Sequence, residues 1–116
     1  MRPETWLCAD LPRMDYGKAL GLQRDLVAAR KAGLLPVDLL LLLEHGPVFT
    51  LGRRGGREHL AVSEDFLRER GIPLVHVERG GDITFHGPGQ LVGYPIVDLQ
   101  ANRLTVPDYV ERLEEV

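Results

Sequence analysis

At 116 residues and 13.0 kDa the chain has room for one core but not two, and 44% hydrophobic with 27% charged residues is ordinary globular composition. A net charge of -3 argues against general nucleic-acid binding, and the longest apolar run, Leu39 to Leu43, is far too short to span a bilayer. The opening MRPETWLCADLPR has no apolar stretch behind a basic start, and a single cysteine, Cys8, cannot close an internal disulfide, so a cytoplasmic protein is expected.

TWLCADL at 5–11 reads as an opening strand ended by Pro12. Asp15 can cap a helix whose apolar positions are Tyr16, Ala19, Leu20, Leu26 and Val27, with Gly33 placed to stop it. VDLLLLLEH is bounded by Pro36 on one side and Gly46 and Pro47 on the other. That is too tight for a normal helix and predicts a buried central strand. PVFTLG at 47–52 resumes as a strand, and RRGGRE forms a glycine-rich loop. Ser63, Glu64 and Asp65 start a short helix that buries Phe66 and Leu67 before Gly71 ends it. IPLVHVE at 72–78 alternates as a strand should. A turn at Gly80 and Gly81, a strand at 83–85, a loop at 87–89 and the strand segment QLVGYPIVDL follow. Thr105 and Asp108 resemble a capping box for a helix with the apolar stripe Val106, Tyr109, Val110, Leu113 and Val116. No stop signal closes that helix, which suggests a fragment of a larger domain.

The stretch RGGDITFHGPGQ concentrates the candidate chemistry. Gly80 and Gly81 let a backbone approach a ligand closely, and their N–H groups could meet a carboxylate, a carbonyl or a phosphate, with Arg79 adding charge if it turns inward. His86 ends a short apolar strand beside Gly-Pro-Gly. It could donate to a substrate carbonyl, orient a catalytic group, or simply bond a neighbouring loop carbonyl. Arg53, Arg54 and Arg57 form a basic cluster suited to a specific anionic partner or to solvent. His45, His59 and His76 lie on different elements and share no metal-ligand spacing, so no metal is assigned. Cys8 reads as a small buried hydrophobe, and the only lysines, Lys18 and Lys31, as solvent-facing positions of the first helix.

RGGDITFHGPGQLVGYP resembles the signature of the lipoyl(octanoyl) transferases, and LLEHGPVFTLGRRG is similar to the upstream segment of those enzymes. The resemblance runs from the first helix to DYVERLEEV. It implies an α+β fold, a mixed β-sheet flanked by helices and related to the biotin and lipoate protein ligases. Residues 1–116 would be the N-terminal portion of one such domain, incomplete at its C-terminus. The implied reaction moves an octanoyl group from octanoyl-acyl carrier protein to a lysine of lipoyl domains, in 2-oxoacid dehydrogenases and the glycine cleavage H protein. It runs through a thioester on an enzyme cysteine, with no cofactor, nucleic acid or membrane. Substrate binding would fall to Arg79, Gly80, Gly81, Asp82, Ile83, Thr84, Phe85 and His86. The family's catalytic cysteine, and the lysine that lowers its pKa, lie beyond the glycine-rich segment and match none of Cys8, Lys18 or Lys31. No catalytic residue is carried over, and the 116 residues alone are expected to be inactive. Two other readings stand beside this one: a lipoate or biotin ligase, which must bind ATP, and a noncatalytic protein that binds acyl groups or acyl carrier protein.

Overall fold

The computed structural model describes residues 6–115, with the side chain of Arg57 excepted. Thr5, Val116 and that side chain, all named in the expectations above, lie outside what is described.

Strand β1 (Trp6–Asp10) runs parallel to β2 (Asp38–Leu43), and β6 (Val92–Ile96) pairs with β2 antiparallel on its other side. The leucine run is thus a central strand, as Pro36 and the Gly46–Pro47 pair predicted. Leu39, Leu41 and Leu43 are buried, each contributing roughly 1.5–3 kcal/mol. Ile96 packs with Leu39 and Leu41, and Ala9, Leu11, Leu22, Leu26, Leu35 and Tyr94 surround that cluster. A second sheet is built the same way. Its centre, β3 (Val48–Leu51), has β4 (Leu74–His76) parallel on one side and β5 (Ile83–His86) antiparallel on the other. The expected mixed sheet is therefore two three-stranded mixed sheets, and residues 44–47 carry the chain from the centre of one to the centre of the other.

The helices start where local chemistry says they should. Asp15 accepts from Lys18 N at 3.2 Å to open α1 (Tyr16–Lys31), and Gly33, at φ +77°, follows its end. Ser63 Oγ accepts from Phe66 N at 3.1 Å to open α2 (Glu64–Glu69). A single 3-10 turn, Arg57–His59, occupies part of the expected loop. Thr105 and Asp108 complete both bonds of a capping box at the start of α3 (Val106–Glu114).

Two burial expectations fail for one reason: sequence periodicity says which face is apolar, not whether anything covers it. Cys8 is exposed because β1 is an outer strand. Phe66 is partly exposed, its ring under the Arg70 guanidinium at 4.6 Å, so Leu67 alone anchors α2. On α3, whose apolar stripe carried no burial expectation, Val106, Val110 and Leu113 are all exposed.

One polar group holds the approach to α3. Asp38, buried at the start of β2, accepts from Arg30 Nη2 (2.9 Å), Asp98 N (3.0 Å) and Asn102 Nδ2 (2.9 Å). Burial alone would raise its pKa; the bonds from Asp98, Asn102 and Arg30, with the Arg30 charge, hold the carboxyl below the usual aspartate range.

Candidate functional site

Residues 79–90 divide into three pieces with different anchors. Residues 79–82 bracket the glycine-rich loop after β3. Gly52 N donates to Asp82 O (2.7 Å), Arg53 N to Arg79 O (3.0 Å) and Arg54 N to Gly81 O (2.9 Å). The approach leaves no room: a Cβ on Gly52 would lie 2.5 Å from Gly81 O and 2.7 Å from the Arg79 guanidinium. Arg79 does turn inward, but onto the protein. Its Nη2 donates to Thr50 O (3.0 Å), Thr50 Oγ1 (2.8 Å) and Asp82 O (3.2 Å), and its Nη1 donates to Gly80 O (2.9 Å). A guanidinium satisfied this way braces the bracket. The Asp82 carboxylate pairs with His59, and its Oδ1 is buried beside Gly55 without a hydrogen-bond partner among the described residues.

The second piece is β5, the outer strand of its sheet. Its register sets Phe85 opposite Phe49 and Ile83 opposite Leu51, while His86 and Thr84 face Val48 and Thr50. Alternation therefore puts Ile83 and Phe85 on one face and Thr84 and His86 on the other. The eight expected residues are contiguous in space but do not line one surface. Phe85 leans on Phe49, with ring centroids 5.0 Å apart, and remains 45% exposed.

The third piece explains HGPGQ. Gln90 N donates to Gly87 O at 3.1 Å, Pro88 takes the second turn position, and Gly89 takes the third at φ +88°. This is a type II turn, and the third position requires the positive φ that glycine allows. The turn brings Gln90 back beside His86, where Oε1 lies 2.7 Å from Nδ1. The Gln90 amide nitrogen donates to Phe85 O at 3.3 Å, and the Glu44 carboxylate accepts from Gly89 N.

Glu44 leads to a residue that sequence reasoning passed over. His45 is fully buried, with Nδ1 2.9 Å from Met14 O and Nε2 2.6 Å from the Tyr94 hydroxyl. A carbonyl only accepts, so Nδ1 carries the proton, and in the neutral ring Nε2 accepts from Tyr94. Burial, reinforced by nearby Tyr16 and opposed by Gln23, pushes the Tyr94 phenol up to about 12. Tyr16 lies 5.1 Å from His45 and 6.3 Å from His86, nearly parallel to the latter at 11°. His45 and His86 are 5.8 Å apart. Four rings from α1, the β2–β3 link, β5 and β6 thus meet where the two sheets join. No sequence signal near His45 announced this cluster; the glutamine four residues after His86, across a Gly-Pro-Gly turn, bore only on the His86 contact.

Elsewhere, Arg53 and Arg54 are exposed, as are Lys18 and Lys31. A groove of about 520 Å³ is lined by Val27, Arg30, Lys31, Ile96, Asp98 and Leu99 among others, and by none of the eight expected residues. Among the described residues no group of three or more His, Cys, Asp or Glu could hold a metal ion, and no helix is long and apolar enough to cross a membrane.

Residues 15–116 match the lipoyl protein ligase A/B catalytic domain. The chain belongs to that family. Within it, the chain is 50% identical over 109 residues to an octanoyltransferase from Koribacter versatilis, covering 92% of this chain and 43% of the relative. To an octanoyltransferase from Desulfotalea psychrophila it is 49% identical over 106 residues, covering 91% and 48%. The chain thus spans about half the length of the curated relatives it matches. Among solved structures it resembles P. falciparum LipL1 in complex with lipoate (TM-score 0.62, 14% identity, 77% of this chain and 29% of that one). It also resembles lipoate-protein ligase A bound with ATP (TM-score 0.53, 21% identity, 81% and 36%). At those identities the likeness is one of fold, an α+β ligase-like domain in which helices flank mixed sheets. Residues 79–86 fall inside the matched family segment.

Proposed function

We propose that the protein is an octanoyltransferase that takes an octanoyl group from octanoyl-acyl carrier protein and places it on a lysine of lipoyl domains. Those domains belong to 2-oxoacid dehydrogenases and the glycine cleavage H protein, and the reaction runs in the cytoplasm without a cofactor. The observation that carries this reading is identity near 50% to proteins named octanoyltransferase over nine-tenths of the chain. The acyl substrate lies along β5 and its bracket, touching Arg79, Gly80, Gly81, Asp82, Ile83, Thr84, Phe85 and His86. Among the described residues β5 is the outer strand of its sheet, with Phe85 45% exposed, which supports a ligand reaching the strand. Covering eight carbons stabilises the complex by roughly 6 kcal/mol at ~0.8 kcal/mol per methylene, before ordering costs.

The acyl-enzyme thioester forms on a cysteine outside these 116 residues. Cys8 sits on the outer strand of the first sheet opposite β6, the strand that brings Tyr94 to the ring cluster. The test is to incubate the intact protein with octanoyl-acyl carrier protein and a lipoyl domain, and to weigh the domain by mass spectrometry. One octanoyl group gained on lysine without ATP supports the proposal. A requirement for free octanoate and ATP makes the protein a ligase, and binding without transfer makes it a noncatalytic acyl-binding protein.

A further inference from the structure

The type II turn at residues 87–90 does more than reverse the chain. Its hydrogen bonds bear on which ring nitrogen of His86 carries the proton. Phe85 O can only accept, so the Gln90 group facing it at 3.3 Å is the NH2. The Gln90 oxygen is therefore the atom turned toward His86, and it too can only accept. Nδ1 of His86, 2.7 Å from that oxygen, must carry the proton. In the neutral ring the proton is thereby excluded from Nε2, which is left as a lone pair.

The remaining contacts hold the ring in place. Tyr16 lies near-parallel to it, the buried His45 ring is 5.8 Å away, and the Glu44 carboxylate pins the turn through Gly89 N. We propose that the Gly87–Gln90 turn is a tautomer clamp, in which Gln90 is a positioning residue that makes neutral His86 a proton acceptor through Nε2. A His86 so held cannot donate to a thioester carbonyl while neutral. Its natural partner is instead a nucleophile that must lose a proton.

Resting on the octanoyltransferase reading, the step it serves balances as follows. The lysine nitrogen attacks the thioester carbon, the N–C bond forms as the C–S bond breaks, and the proton leaving the amine passes to His86 Nε2. It then goes to the departing thiolate, which leaves as a thiol. While the ring is charged, Gln90 Oε1 continues to accept from Nδ1–H, so the imidazolium keeps its orienting bond.

The test reads the tautomer directly, by long-range 1H–15N correlation spectra of the histidine side chains in 15N-labelled protein at a pH where the ring is neutral. The clamp requires a protonated Nδ1 and a bare Nε2 at His86. Gln90→Leu should move the proton toward Nε2, whereas Gln90→Glu, whose carboxylate also accepts, should keep it on Nδ1. A wild-type His86 with its proton on Nε2, or a tautomer unmoved by Gln90→Leu, would overturn the clamp. Gln90 is exposed, and the wild-type spectrum decides the matter even should a variant fold poorly. In the intact protein, Gln90→Leu should lower kcat by about 10-fold or more with KM little changed, and Gln90→Glu should restore part of it. An unchanged kcat would refute the proton-accepting use. Wild-type protein that transfers no acyl group would sink the octanoyltransferase reading, while the tautomer would still decide the clamp.

Discussion

Gly52→Ala should be among the most damaging single-atom changes the protein can undergo. The added Cβ would sit 2.5 Å from Gly81 O and 2.9 Å from Gly80 O, both backbone atoms, and 2.7 Å from Arg79 Nη1. The closest contact falls roughly 1 Å short of ordinary separation, so the loop must move away from residues 79–82. That movement endangers three backbone hydrogen bonds, from Gly52 to Asp82 O, Arg53 to Arg79 O and Arg54 to Gly81 O, and with them the Arg79 bonds to Thr50. Overpacking of this kind costs about 1–3 kcal/mol, and each weakened bond adds about 0.5–1.5 kcal/mol. A loss of about 3–4 kcal/mol is expected, which lowers a urea midpoint by more than about 1 M. The control is Gly21→Ala, an exposed position inside α1 with nothing within 4 Å of the new Cβ. It should be neutral or stabilising by up to about 1 kcal/mol. If Gly52→Ala stayed within about 0.5 kcal/mol of wild type, the close bracket between the two glycine-rich segments would be wrong.

Asp38 makes stability depend on acid pH. Its carboxyl is held below the ordinary value in the folded protein, so its contribution is complete above the unfolded value near 3.8 and is lost as pH falls through the folded one. Urea midpoints should be flat toward neutrality and drop below about pH 4. Asp38→Asn should flatten that drop and cost about 3 kcal/mol at pH 7, because Arg30 would lose its buried counter-charge; parallel acid profiles for the two proteins would contradict this. Tyr94→Phe should cost about 1–3 kcal/mol by leaving the buried Nε2 of His45 without a donor, and should remove the phenol that titrates at about 12. A variant as stable as wild type would mean that the His45 bond is not made.

What the sequence revealed was mostly local. Pro36 and Gly46–Pro47 confined the leucine run, and Asp15, Ser63 and Thr105 each satisfied an amide three residues on. These features are decided by neighbours in the chain. What stayed hidden depends on partners far away in sequence. Arg79 spends its donors on Thr50, 29 residues earlier, and His45 is satisfied by Met14 and by Tyr94, 49 residues later. Nothing near His45 announces either bond. The exposure of Cys8 likewise follows from strand order, which no period-two pattern encodes. The segment RGGDITFHGPGQ stood out in the sequence by its glycines and its lone Arg and His, but its division into bracket, strand and type II turn required the fold.

The measurement that bears most directly on the account is where the acyl chain lies. An octanoyl thioester with a photoreactive diazirine near its tail can be irradiated on the intact protein and its adducts mapped by peptide mass. The account predicts labelling along β5 and its neighbour, at residues 83–86 and 49–51, suppressed by an excess of unlabelled octanoyl thioester. Labelling confined instead to the groove between α1 and residues 95–100 would contradict it, and would move the acyl site away from the strand that ends in His86.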